Sequence, residues 1–295
     1  MNRGGLLVFF SIIFLSGCTE KTMPTENKQP SQINRIISAA PSYTEIIAGL
    51  GLADKLIAVD KYSHDVEGVR KDLPEIDFFY PDIEAIAGLK PDIIISGEIN
   101  TNGNADTSYQ FFRRLGIEVM EVPTSNSIED IYGDIIRIAE ALGVRDRGES
   151  VVNRMKEQIA AVSGRAGAGG KAGKKSVYFE ITPAPTMVSF GRGTYLNELI
   201  EIIGARNIFA AEERWFAPGA EAIILADPDV ILAMSYEGEG AAVTAEIKGR
   251  PGFEALAAVR QNMVFAVNGN HASRPSQNIV LALEEMYRAV WQEKQ

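Results

Sequence analysis

The feature that most constrains this chain is an internal repeat. The run Asp82-Ile83-Glu84-Ala85-Ile86-Ala87-Gly88-Leu89-Lys90-Pro91-Asp92-Ile93-Ile94-Ile95 aligns without a gap on Gly219-Ala220-Glu221-Ala222-Ile223-Ile224-Leu225-Ala226-Asp227-Pro228-Asp229-Val230-Ile231-Leu232. Glu84 thereby matches Glu221, and six residues before each glutamate stands an aromatic, Phe78 and Trp215, each followed by a second, Phe79 and Phe216. In both copies a loop carrying aromatics leads into a short helix with a glutamate in its first turn. The helix then stops at a Pro-Asp turn into an apolar strand. The chain is therefore read as two lobes related by pseudo-symmetry, each built around one copy of this unit.

The segments around the repeat extend each lobe into an α/β series. Apolar strands are expected at Arg35 to Ala39, Lys55 to Val59, Asp92 to Ser96 and Glu118 to Val122, with helical segments at Asp82 to Gly88 and Thr107 to Leu115 between them. Alternation of this kind argues for a parallel sheet. Ser42 with Glu45 three residues later reads as a capping box, which starts a helix at the carboxyl end of the first strand, the usual edge for a ligand cleft. From Ser127 to Val162 the pattern is helical and charged, with Gly143 and Asp146 to Gly148 as places for a break, and Gly164 to Lys175 reads as an exposed loop. A second series follows: strands at Ser176 to Ile181, Val230 to Ala233 and Met263 to Val267, and helices at Thr194 to Gly204 and Ser276 to Gln292. The expected domains are an N-terminal lobe over 34–126, a helical connector over 127–163 and a C-terminal lobe over 164–295.

Ahead of these lobes, Arg3, the apolar run Leu6 to Leu15 and Ser16-Gly17-Cys18 form a basic start, a short apolar core and a small-residue cleavage site, so residues 1–17 read as a signal peptide. The apolar run is about half the roughly 20 residues a membrane span requires. Cys18 is the one cysteine, so no intramolecular disulfide can form. Leu15-Ser16-Gly17-Cys18 resembles the lipobox of bacterial lipoproteins, which implies acylation of Cys18 and an extracytoplasmic, membrane-anchored location. Residues 18–33 then form the lipidated cysteine and a polar tether. A net charge of −10 offers no basic stripe to neutralise phosphates, which excludes nucleic acid as a partner.

The residues that could carry chemistry favour binding over catalysis. No Gly-x-Ser-x-Gly elbow and no His-Glu-x-x-His motif occurs, so an exported α/β hydrolase is kept only as a distant alternative and no catalytic residue is assigned. With only His64 and His271 in the chain, a bare zinc or manganese site is not expected, and no metal site is assigned. Haem would call on Tyr62, His64, Tyr195 or His271 as an axial ligand. An anionic siderophore would call on Arg192, Arg214 and Arg274. Glu84 and Glu221, at equivalent places in two lobes, form an acidic pair suited to a partner with two basic pockets. Phe78 and Trp215, in loops before helices, are suited to a cleft.

The segments Ser38-Ala39-Ala40-Pro41-Ser42-Tyr43-Thr44-Glu45, Glu84 to Ile94, Gly204-Ala205-Arg206-Asn207-Ile208-Phe209 and Ser273-Arg274-Pro275 resemble the vitamin B12 and ferric-siderophore class of periplasmic substrate-binding proteins of ABC importers. The resemblance covers everything after the tether. It implies two Rossmann-like α/β lobes with parallel-rich sheets, joined by a single long helix, with the ligand in a cleft between them and little hinge opening. It also implies that Glu84 and Glu221 dock on arginines of the importer's membrane subunits. The ligand set it suggests is Tyr43, Tyr62, Phe78, Phe79, Trp215, Phe216 and Arg274. Phe78 stands where cobalamin binders carry a tryptophan, and Tyr62 stands in for a tyrosine expected near Asp65. The implied cargo is a large metal chelate, a corrinoid first, with a ferric siderophore or haem as the alternative, and no resident cofactor.

Overall fold

In the computed structural model the described residues are Met1, 33–77, 80–97, 105–169 and 173–292. Continuous β-branched runs set the first sheet. Ile36-Ile37 and Ile93-Ile94-Ile95 are at most 1% exposed, as strands covered on both faces must be. The N-terminal elements run β1 (Ile36–Ser38), α1 (Pro41–Gly49), β2 (Leu56–Asp60), β3 (Glu75–Ile76), α2 (Ile83–Gly88), β4 (Ile93–Gly97), α3 (Ala105–Arg114) and β5 (Glu118–Val122). Their sheet has the order β3-β2-β1-β4-β5 and every pairing is parallel. The order reverses between β1 and β4, so a crevice opens at the carboxyl end of β1.

α4 (Ile128–Ala141) and α5 (Arg145–Gly169) follow. Ser127 caps α4 reciprocally: its hydroxyl accepts from Asp130 N at 3.0 Å, and Asp130 Oδ2 accepts from Ser127 N at 3.0 Å. The helical stretch thus holds two helices rather than one. It breaks at Gly143, whose φ of 71° is the left-handed conformation that ends helices, whereas Asp146 to Gly148 lie inside α5. The long helix is α5, and it continues to Gly169 through residues expected to be a loop. Tertiary packing overrides the glycines there, because Ala166 lies against Gly204 and Arg165 pairs with Glu284. At its other end Arg147 Nη1 donates to Leu50 O at 3.0 Å, so α5 ties one lobe to the other.

The C-terminal elements are β6 (Ser176–Glu180), β7 (Ser189–Phe190), α6 (Tyr195–Ile202), β8 (Arg206–Asn207), β9 (Trp215–Phe216), α7 (Ala220–Ala226), β10 (Val230–Ser235), α8 (Gly240–Lys248), α9 (Ala257–Arg260), β11 (Val264–Asn268), α10 (Gly269–Ser273) and α11 (Ile279–Trp291). The sheet order is β11-β10-β6-β8, again all parallel, with β7 and β9 forming a separate antiparallel pair. One apolar core joins the lobes: Ile46 and Val59 from the first, Ile131, Ile135 and Met155 from α4 and α5, and Leu199, Leu232 and Leu283 from the second belong to the same cluster. The opposite face of the first sheet has its own core, in which Ile37 and Ile94 pack with Ile86, Tyr109 and Phe112 under α2 and α3.

The capping box expected at Ser42 and Glu45 does not form. Ala40 is the N-cap, Pro41 opens the helix, and no side chain caps it. Proline at the first helical position has the required φ and no N–H to satisfy, so the helix starts ahead of Ser42. Glu45 is only 4% exposed and is engaged elsewhere.

Candidate functional site

The carboxyl ends of β1, β2, β10 and β11 open on a cavity of about 930 Å³. From the first lobe its wall is Ala40 to Ser42 at the start of α1, then Lys61, Tyr62, His64 and Asp65 after β2. From the second lobe it is Tyr236 after β10, with Asn270, Ser273 and Arg274 after β11. A second chamber of about 540 Å³ shares Ala40, Pro41, Lys61 and Tyr62, and adds Asp60, Glu75 and Asp77. This placement follows from parallel topology, which puts every loop after a strand on one edge of the sheet.

Buried hydrogen bonds fix the loop that carries Tyr62. Asp60 accepts from Tyr62 N at 2.9 Å and from the Ser63 hydroxyl. Ser63 Oγ lies 2.9 Å from Thr44 Oγ1, which reaches Ser38 Oγ at 2.8 Å, so strand, helix and loop share one polar chain. Tyr62 remains 63% exposed, with Lys61 Nζ 4.8 Å from its ring centroid. His64 Nε2 lies 3.2 Å from Glu75 Oε1. On the opposite wall, a side chain at Gly269 would place a Cβ 2.8 Å from the Tyr236 ring, so glycine permits that aromatic to lie across the start of α10.

Arg274 crosses between the lobes. Its Nη1 donates to Glu45 Oε1 at 3.1 Å, and its Nη2 to Tyr62 O and to both Asp65 oxygens at 3.0 Å. Ser276 Oγ donates to Glu45 Oε2, Gln277 Nε2 to Glu45 O at 2.8 Å, and Asn270 Nδ2 to Asp65 Oδ2 at 2.6 Å. Burial raises the Glu45 carboxyl above its ordinary pKa, and hydrogen bonds from Ser276 and Arg274 pull it part of the way back.

The other sequence-assigned residues divide between this wall and positions away from it, among them Trp215, which is 42% exposed. Tyr62 and Arg274 are brought together at the cavity. Tyr43 is half-buried against the core, its hydroxyl raised by burial and then by the charge of Asp134, and it does not line the cavity. Trp215 and Phe216 do not line it either. Pairing of β9 with β7 turns Trp215 edge-on to Phe190 and Tyr195 at 5.9 and 6.2 Å, and Phe216 packs edge-on to Phe209 at 5.2 Å. Phe78, Phe79 and Cys18 lie outside the described residues. Among the haem candidates, Tyr62 and His64 line the cavity. The Tyr195 hydroxyl donates to Ala272 O at 2.9 Å, and His271 Nδ1 sits 2.7 Å from Glu285.

Glu84 and Glu221 are both exposed in the first turns of α2 and α7, and neither forms an ion pair with a described residue. Each helix feeds the amino end of a parallel strand, so its first turn lies toward the carboxyl edge, the edge that holds the cavity. Lys61, Asp65, Tyr236 and Asn270 were not singled out from sequence. The available signal was their position directly after apolar strands.

Among the described residues no helix is long and apolar enough to cross a membrane, and no group of three or more His, Cys, Asp or Glu could hold a metal ion. Residues 36–270 match the periplasmic binding protein family. The chain is 29% identical over 270 residues to an uncharacterised ABC transporter substrate-binding lipoprotein of Bacillus subtilis, covering 90% of this chain and 82% of the relative. It is 24% identical over 276 residues to the vitamin B12-binding protein of Vibrio parahaemolyticus, covering 93% and 92%. The crystal structure of a possible iron-binding periplasmic solute-binding protein of Staphylococcus epidermidis superposes with a TM-score of 0.77 at 25% identity, covering 88% of this chain and 99% of that one.

Proposed function

Because the chain belongs to the periplasmic binding protein family, we propose that it is the lipid-anchored substrate-binding component of an ABC importer and captures a large metal chelate, with a corrinoid as the preferred cargo. Members of the family bind solutes and work with membrane permease subunits, and they are not enzymes. The observation that carries the reading is the cavity of about 930 Å³ where the carboxyl edges of two parallel sheets meet, enlarged by a neighbouring chamber of about 540 Å³. That space lies at and beyond the upper end of ordinary small-ligand pockets. Tyr62 and Tyr236, 63% and 52% exposed on opposite walls, offer aromatic faces to a flat ring system.

Glu84 and Glu221 are the docking residues of this reading, one per lobe, presented toward the edge that holds the ligand. Two exposed carboxylates suit two basic pockets on a symmetric pair of membrane subunits. Cys18 is the anchor, a reading supported by the order of residues around it and by the lipoprotein naming of the Bacillus subtilis relative.

Calorimetric titration of the full chain with cyanocobalamin tests the cargo. Saturable heat with one site per chain is expected. Absence of heat with cyanocobalamin, together with a shifted haem absorption band on adding haem, replaces the corrinoid by the alternative that Tyr62 and His64 would serve.

A further inference from the structure

Resting on the chelate-carrier reading, we infer that the cleft selects a chelate that is neutral or positively charged and discriminates against anionic ones of the same shape. The second chamber sets three carboxylates, Asp60, Glu75 and Asp77, against one ammonium, Lys61. Glu75 and Asp77 are exposed on its wall, and Lys61 Nζ lies 4.8 Å from the Tyr62 ring centroid. In the larger cavity the other fixed cation is Arg274, and Glu45 and Asp65 already take up both ends of its guanidinium.

The arginines that an anionic ligand would require are all committed elsewhere. Arg192 Nη2 lies 2.7 Å from Glu213 Oε1, and its Nη1 donates to Ala211 O at 3.0 Å. Arg214 Nη1 donates to Asn126 Oδ1 at 3.2 Å. Neither lines either chamber. The amino end of α1 contributes about half a positive charge to the same wall, and the balance stays negative. A ligand carrying carboxylates or catecholates therefore meets like charge, and among the described residues that line the cleft no guanidinium is left to receive it. An uncharged or cationic chelate meets aromatic faces and carboxylates that can accept its amide or ammonium protons.

The test compares ligands that share a scaffold and differ in charge, titrated calorimetrically into the full chain. The corrin set is cyanocobalamin (neutral), aquocyanocobinamide (cationic) and dicyanocobyrinic acid (anionic). The iron set is ferrioxamine B (cationic) and ferric enterobactin (anionic). Within the scaffold that binds, the neutral or cationic member is expected to bind at least about tenfold tighter than the anionic one. That ratio is expected to shrink in the Glu75→Gln/Asp77→Asn double variant, and in the unaltered chain as salt rises and screens the wall. Equal or tighter binding of the anionic member overturns the inference and leaves the chelate reading standing, as does a ratio that neither salt nor the double variant moves. Binding of none of the five ligands overturns the chelate reading and the charge preference together.

Discussion

Arg274 and Glu45, 229 residues apart, meet at 3.1 Å across the two lobes, with 8% and 4% of their surfaces exposed. Arg274 lines the cavity, and the same guanidinium holds Tyr62 O and Asp65. Removing one member of a buried pair leaves the other charge without compensation, which typically costs about 3–5 kcal/mol. Arg274→Met is expected to lower the urea unfolding free energy by about that amount, while Arg274→Met with Glu45→Gln loses less than the two single changes summed. Additive losses in that cycle contradict a direct pairing.

Glu284 supplies a pH-dependent contribution where α11 meets α5. A hydrogen bond from Arg165, then one from Arg288, holds its carboxyl below the ordinary carboxylate range. Folding thus favours the ionised form. The contribution is complete above the unfolded glutamate value of about 4.3 and is lost as pH falls through the lowered folded value. The stability gap between the unaltered chain and Glu284→Gln, read by urea unfolding at a series of pH values, is expected to narrow as the medium is acidified from about neutral. A gap that widens on acidification reverses the assignment.

In the proposed docking, the exposed glutamates serve the importer and not the cargo. Glu84→Ala with Glu221→Ala is expected to leave the dissociation constant for the ligand within about twofold while lowering uptake by cells at least about tenfold. Each single change is expected to fall between. Loss of ligand affinity in the double variant refutes the division of labour.

Cys18→Ser removes the thiol proposed to be acylated. The variant is expected to appear in the soluble extracytoplasmic fraction, and the unaltered chain to remain with membranes after high-salt washing, since acyl chains hold by apolar burial that salt does not screen. Equal partitioning of the two forms removes the anchor.

Elements whose cause is local were legible in the sequence. Ile93-Ile94-Ile95 reads as a buried strand because a parallel strand covered on both faces is apolar throughout, and the repeat placed Glu84 and Glu221 in the first turns of short helices, where they stand. What was not legible depends on distant partners. Glu45 has the spacing of a capping residue, and its actual partners, Arg274 and Ser276, lie 229 and 231 residues away. The glycines and alanines from Gly164 to Gly169 carry the composition of a loop, yet α5 continues through them because Arg165 finds Glu284 on α11. Trp215 lies before its helix as expected, but pairing of β9 with β7 faces it toward Phe190 and Tyr195. Asn270 and Asp65 wall the cavity through a 2.6 Å bond spanning 205 residues, which no local pattern announces.

The core that runs unbroken from the first sheet through α4 and α5 to the second has a mechanical consequence. Two lobes that share one interior, and are bolted together again by Arg274, have no inexpensive open state of their own. Opening the cleft means tearing apolar surface away from apolar surface. For the carrier proposed above, work to eject a cargo then comes from outside the protein, through a grip on both lobes at once. In the proposed docking, Glu84 and Glu221 are the two handles for such a grip.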